Sequence, residues 1–139
     1  MHSPGNQQNT NDKKSRRILV LDDEKAVRDA LTRLLQSQGY QCSTAATGEI
    51  LLDILEQGNQ TDIKYDLAIL DIKIAGGIGG IETMHRIVEI DRSIPVISMS
   101  GYPVETLFDE KNSIGFVGHL EKPFSAKELS VAIERVCSD

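Results

Sequence analysis

Five short strand-like segments alternate with stretches of helical periodicity, and this rhythm constrains the fold more than any other feature of the chain. The segments are Ile18–Leu21, the alternating Tyr40, Cys42 and Thr44, then Leu67–Leu70, Ile94–Met99 and Phe116–Leu120. After the first, Val27, Ala30, Leu31, Leu34 and Leu35 recur at i, i+3, i+4, i+7 and i+8, one apolar stripe of a helix that Gly39 stops. Ile50, Leu51, Ile54 and Leu55 mark a second helix, read as closing at Gly58. Ile81, Met84, Ile87 and Val88 mark a third, and a short helix is expected near Val104–Glu110. Ser125 with Glu128 three residues on is a capping box, opening a last helix striped by Leu129, Ala132, Ile133 and Val136. Strands apolar on both faces need cover on both sides. The expected fold is therefore α/β: five βα units, doubly wound, with a five-stranded parallel sheet between two helical layers.

The 139 residues suit one domain. Residues 1–16 are polar and without periodicity, a disordered leader by composition, which leaves 17–139 as the folded unit. No run approaches the roughly 18 apolar residues of a membrane span, and Met1–Arg17 has no secretory apolar core, so a cytoplasmic location is expected and no membrane partner. With a net charge of −6 and only Lys13, Lys14, Arg16 and Arg17 as a basic run, direct nucleic-acid binding is not expected. Cys42 and Cys137 form no C-x-x-C pair, and neither they nor His2 and His85 have zinc-ligand spacing.

In doubly wound sheets, ligands bind beyond the carboxyl ends of the strands. Here those ends carry Asp22-Asp23-Glu24, Asp71, Ser100-Gly101 and Glu121-Lys122-Pro123. Three aspartates close together repel unless a cation intervenes, and a hard cation such as Mg²⁺ takes oxygen ligands. Phosphoryl transfer asks a protein for this equipment: a carboxylate nucleophile in Asp71, and positive or donor groups for the phosphoryl oxygens in Lys122, Ser100 and the metal. Gly101 leaves room for the incoming donor. Each residue also has a plainer use. Asp23 could cap the first helix, Asp71 a turn, Ser100 could bond its own loop, and Lys122 could be a solvated lysine.

The segments ILVLDDE, YDLAILDI, IPVISMSGY and HLEKPFS, in this order, resemble the receiver domain of two-component response regulators, the chemotaxis-regulator type included. The resemblance runs from about Arg17 to Cys137 and implies a flavodoxin-like fold. It implies Asp71 as phosphoacceptor, Asp23 as a direct Mg²⁺ ligand, Asp22 acting through water, and Lys73 lending its backbone carbonyl. It also implies Ser100 as the switch hydroxyl, Lys122 as the phosphate-pairing lysine, and a cis bond before Pro123. The implied partners are a sensor histidine kinase or phosphotransfer protein, then a downstream protein or fused output domain, with a homodimer open. The face formed by the fourth expected helix, the fifth strand and the last helix would carry the output. Such a domain catalyses only its own phosphorylation and dephosphorylation.

Three departures stand out. Ile74-Ala75 and four glycines within Gly76–Gly80 replace the family's usual Met-Pro, which suggests a looser loop. His119 occupies the aromatic switch position, as either a switch or an ordinary strand histidine. Lys73 and Tyr102 stand where the family tunes phosphate lifetime. An aspartyl-phosphate enzyme would need a second carboxylate two residues after the nucleophile, and Lys73 is there instead. A phosphate-free binding module is the other rival. Gly77-Ile78-Gly79-Gly80 lacks both the order and the Lys-Ser/Thr ending of a nucleotide loop.

Overall fold

A strand with no polar face is stable only when covered on both sides, and each strand of the sheet centre meets that condition. The computed structural model describes residues 16–73, 77–101 and 115–137. The described elements run β1 (Arg17–Leu21), α1 (Lys25–Ser37), β2 (Gln41–Ala45), α2 (Gly48–Gln60), β3 (Leu67–Asp71), α3 (Gly80–Ile90), β4 (Val96–Ser100), β5 (Phe116–Glu121) and α4 (Ala126–Cys137). The expected leader up to residue 15, residues 74–76 of the glycine loop, Tyr102 and the helix near Val104–Glu110 lie outside the described residues.

All five strands are parallel, in the order β2-β1-β3-β4-β5. Alternate strand residues feed two cores. Ile18, Val20, Leu67, Ile69, Ile97 and Met99 meet Leu31 and Leu35 of α1 and Leu129 and Ile133 of α4. On the opposite face Leu19, Leu21, Ala68, Leu70 and Val96 meet Leu51 and Leu55 of α2 and Met84 and Ile87 of α3. Each such Leu or Ile contributes about 1.5–3 kcal/mol on leaving water. The doubly wound architecture expected from periodicity is the one observed.

Strand order reverses between β1 and β3, since β2 lies outside β1 and the remaining strands are added on the other side. Leu21 is in register with Leu70, so Asp22 and Asp71 are the next residues of adjacent strands. The switch point of the sheet is thus where two carboxylates meet.

Local chemistry sets the helix ends. At the end of α1, Gly39 takes φ +95°, a left-handed value that favours glycine. Tyr40 N–H reaches back to the Leu35 carbonyl (2.9 Å) and Gly39 N–H to Gln36 (3.0 Å), a Schellman ending. Thr47 caps α2 by accepting from Ile50 N–H at 3.2 Å. The Ser125–Glu128 capping box is closed in both directions, at 2.8 and 3.0 Å. Gly58 does not stop α2, which continues to Gln60. Its lack of a side chain serves packing: a Cβ there would lie 2.8 Å from the Tyr65 ring. The fourth strand starts at Val96, two residues later than its apolar run, as Pro95 has no N–H to donate.

Gly80, the first residue of α3, lies against the backbone of Asp71, and a Cβ there would overlap the Asp71 carbonyl oxygen. Alanine in a helix is ordinarily favoured over glycine by up to about 1 kcal/mol. At this position overlap with backbone should outweigh that gain. Gly80→Ala is expected to destabilise the fold by roughly 1–3 kcal/mol in urea unfolding; a stabilised variant would show that α3 can move off β3 freely.

Candidate functional site

Asp22 is the residue after β1, is completely buried, and has every polar atom engaged. Its N–H donates to the Ala45 carbonyl (3.1 Å) and its own carbonyl accepts from Arg28 Nη1 (3.0 Å). Oδ1 accepts from Glu24 N–H (2.9 Å), and Oδ2 accepts from Lys122 Nζ (2.7 Å). Asp71, 5% exposed, repeats this pattern one strand away. Its Oδ1 accepts from Lys73 N–H (3.1 Å) and its Oδ2 from the same Lys122 ammonium (3.1 Å). One cation therefore bridges two buried carboxylates on adjacent strands, and Lys122 is not a solvated surface lysine. Asp23 completes the group: one carboxylate oxygen from each of Asp22, Asp23 and Asp71 lies within 4.8 Å of the others. This is an all-oxygen donor set suited to a hard divalent cation such as Mg²⁺.

The second half of the rim comes from β4 and β5. Ser100 is buried as the last residue of β4, and its carbonyl accepts from Lys122 N–H (2.6 Å), which ties the lysine's backbone to β4. The Lys122–Pro123 peptide is cis. Gly101 is exposed, and a Cβ at this residue would meet no described atom within 4 Å. Lys73 is exposed, with its N–H directed to Asp71. His119 is half-buried on β5, its Nδ1 2.7 Å from Ser98 Oγ on β4. The sequence reading placed the aspartates, Ser100 and Lys122 at one rim, and the fold brings them there. It missed Arg28 and Ser98, and took Gly80 only as part of a loop. Only Arg28 had a sequence signal, a cation near the start of a helix, where the macrodipole disfavours it.

Two surface features border this rim. An apolar groove of about 510 Å³, lined by Ala26, Val27, Ala30, Leu31 and Leu34 of α1, runs to Lys122, Pro123 and Phe124. A second groove of about 540 Å³ lies between β5 and α4, with His119, Phe124 and Val131 among its lining residues.

The comparisons with known proteins decide the family. The family model for the response regulator receiver domain matches residues 18–134. The chain belongs to the response regulator receiver family. It is 35% identical to sporulation initiation phosphotransferase F of Bacillus subtilis over 119 residues, covering 86% of this chain and 91% of that protein. It is 31% identical to the transcriptional regulatory protein FixJ of Bradyrhizobium diazoefficiens, covering 84% of this chain but 54% of that protein. Among solved structures it resembles response regulator TrrA of Thermotoga maritima in complex with Mg²⁺–BeF, with a TM-score of 0.76, 31% identity, and coverage of 87% and 98%. Vibrio cholerae CheY4 (TM-score 0.78, 22% identity) shares the fold. The protein is thus a phosphoacceptor receiver domain of two-component signalling, and it spans about half the length of the transcriptional regulators it matches. No helix among the described residues is long and apolar enough to cross a membrane.

Electrostatics in the receiver's rim give a pH signature. Burial is the largest influence on Asp71 and lifts its pKa above 3.8, Lys122 pulls it back, and the charge of Asp22 adds to the rise. Burial lowers Lys122, but its bonds to Asp22 and Asp71 outweigh that and leave it above 10.5. A raised acid binds its proton more tightly folded than unfolded, so Asp71 costs the fold stability as pH rises through and above the ordinary aspartate range. Asp71→Asn is therefore expected to raise Tm at pH 7. The gain should fade as pH falls toward the ordinary aspartate range. A lowered Tm at pH 7 in calorimetry would reverse the sign of this account.

Proposed function

We propose that Asp71 is the phosphoacceptor, with Lys122 and Ser100 as its phosphate-binding partners. The observation that carries the reading is the Lys122 ammonium set 3.1 Å from Asp71 Oδ2, beside three clustered carboxylates. A donor protein, either a sensor histidine kinase or a phosphotransfer protein, carries the phosphoryl group on a histidine nitrogen. A carboxylate oxygen of Asp71 attacks phosphorus, the P–N bond breaks, and its electron pair returns to the donor imidazole, which takes up a proton. Lys122 neutralises one phosphoryl oxygen and the Ser100 hydroxyl donates to another. Asp23, Asp71 and the Lys73 carbonyl would hold Mg²⁺, with Asp22 behind them, and the ion would supply a hard positive charge for a further oxygen. A Mg²⁺–BeF complex in a solved relative of 31% identity supports this assignment.

The apolar groove on α1 ends at Lys122, so a donor protein seated on it would present its phosphohistidine to Asp71. Output would leave by the β5 edge of the sheet. His119 on β5 and the groove between β5 and α4, with Val117 (57% exposed) and Val131 (42% exposed) on that flank, form the surface whose state reports phosphorylation to a downstream protein, a fused output domain or a second copy. Lys73 and Tyr102 are the residues proposed to set the lifetime of the acyl phosphate. Turnover is confined to the domain's own phosphorylation and dephosphorylation, in the cytoplasm.

Incubation with acetyl phosphate and Mg²⁺, followed by intact mass measurement, tests the chemistry. One phosphoryl group is expected. Asp71→Asn should abolish it, Asp23→Ala should lose Mg²⁺ dependence and nearly all uptake, and Lys122→Ala should slow uptake by about 10²-fold, the scale of removing one charge-stabilising donor. Sustained multiple turnover of a small phosphomonoester would overturn the signalling assignment in favour of an enzyme.

Docking has its own signature. Val27→Glu, at the groove, should slow transfer from a phosphohistidine protein by tenfold or more, since each 1.4 kcal/mol of lost binding is a factor of ten. It should leave uptake from acetyl phosphate unchanged. Equal slowing with both donors would place the damage in the site and not in docking.

A further inference from the structure

Helix α1 begins without the usual devices. Its first turn has no acidic residue, and its N-cap, Glu24, makes no side-chain capping bond. Arg28 nevertheless stands near this end, where the helix dipole opposes a cation by about 0.3–1 kcal/mol. The neighbouring cation Lys25 is exposed and paired with Asp29 at 2.8 Å. Arg28 is half-buried and directs Nη1 to the backbone carbonyl of Asp22 at 3.0 Å.

That bond is one of four holding Asp22, and it is the one made to the carbonyl of the peptide that joins Asp22 to Asp23. The Asp22 N–H is tied to β2, and Oδ1 is tied to the turn's own Glu24 amide. Oδ2 is held by Lys122, a group that the proposed reaction engages with phosphate. When Lys122 turns toward a phosphoryl group, the Arg28 bond still pins the peptide joining Asp22 to Asp23.

We infer that Arg28 is a positioning residue for the acidic turn: by clamping the Asp22 carbonyl it fixes the peptide from which the Asp22 and Asp23 carboxylates project toward the metal site. This rests on the Mg²⁺ site proposed above. Groups that orient metal ligands from behind change metal affinity by about 10–100-fold when removed.

The sign of the effect separates this role from simple electrostatics. A guanidinium near a cation site repels the incoming cation, so deleting it would tighten Mg²⁺ binding if charge alone mattered. A clamp predicts the reverse. Mg²⁺ is titrated calorimetrically into the full chain and into Arg28→Met and Arg28→Lys at constant ionic strength. Amide exchange at Glu24, whose N–H depends on Asp22 Oδ1, is followed by NMR without metal. Arg28→Met is expected to bind Mg²⁺ roughly tenfold more weakly and to exchange faster at Glu24, while Arg28→Lys, which keeps one donor, recovers most of both. Unchanged or tighter Mg²⁺ binding with unchanged Glu24 exchange would overturn the inference. Should Arg28→Met fail to fold, Arg28→Gln replaces it, with an intermediate loss expected and a gain of affinity again overturning. Absence of Mg²⁺ binding in the unsubstituted chain would sink the metal site itself, and the Glu24 exchange rates would still judge Arg28.

Discussion

Two carboxylates are buried side by side at the ends of adjacent parallel strands, and the Lys122 ammonium between them makes that arrangement tolerable. Without Lys122 two like charges would lie buried with no counter-charge, the case in which breaking a buried pair costs about 3–5 kcal/mol. Asp22 and Asp71 are held alike, each with Oδ1 on the amide two residues ahead and Oδ2 on Lys122. Their difference lies in access. Asp22 is wholly buried, while Asp71 keeps a small exposed area at the rim. One carboxylate of a matched pair is thus framework and the other is reachable.

The fold concentrates charge there because a parallel sheet can. Every strand ends on the same side, and the reversal of strand order between β1 and β3 opens a crevice at that edge. Lys122 arrives from the far edge strand, five residues of parallel pairing having carried β5 along β4, and its backbone is tied to Ser100. Two residues back on β4, Ser98 touches His119, so the same strand also reaches the β5 flank. The rim at Lys122 and the β5 flank proposed for output are joined by one strand pair.

Much of this was legible in the sequence. Apolar runs bounded by acidic or basic residues marked strands and their ends, and the 3.6-residue stripes marked the helices. Asp71 and Lys122 could be placed at one rim since a parallel sheet has one rim to offer. What could not be read was pairing that depends on register and close approach. The ladder between β4 and β5 slips between Val96 and Ile97, which leaves Val117 as an extra, exposed residue. Because side-chain direction alternates along a strand, that one residue decides that Leu120 faces the core and His119 faces Ser98. Phe116–Leu120 was read as an unbroken strand, although Gly118 inside it is the kind of residue that accompanies a bulge. Gly58 was read as a helix stop and Gly80 as part of a loose loop, yet their lack of a side chain serves tight contacts with Tyr65 and Asp71. Lys122 bridging Asp22 as well as Asp71 was likewise out of reach: spacing names the residues at a strand end, not which oxygen each one takes.

Chemical mapping of the modified residue tests the central claim most directly. After phosphorylation, borohydride reduces an acyl phosphate of aspartate to homoserine, and peptide mass spectrometry then locates the converted position. The account predicts homoserine at position 71 and an unconverted aspartate at position 22, despite their matched hydrogen bonds. Conversion at position 22 or 23, or a stable phosphate on a serine or histidine with position 71 unchanged, would contradict it.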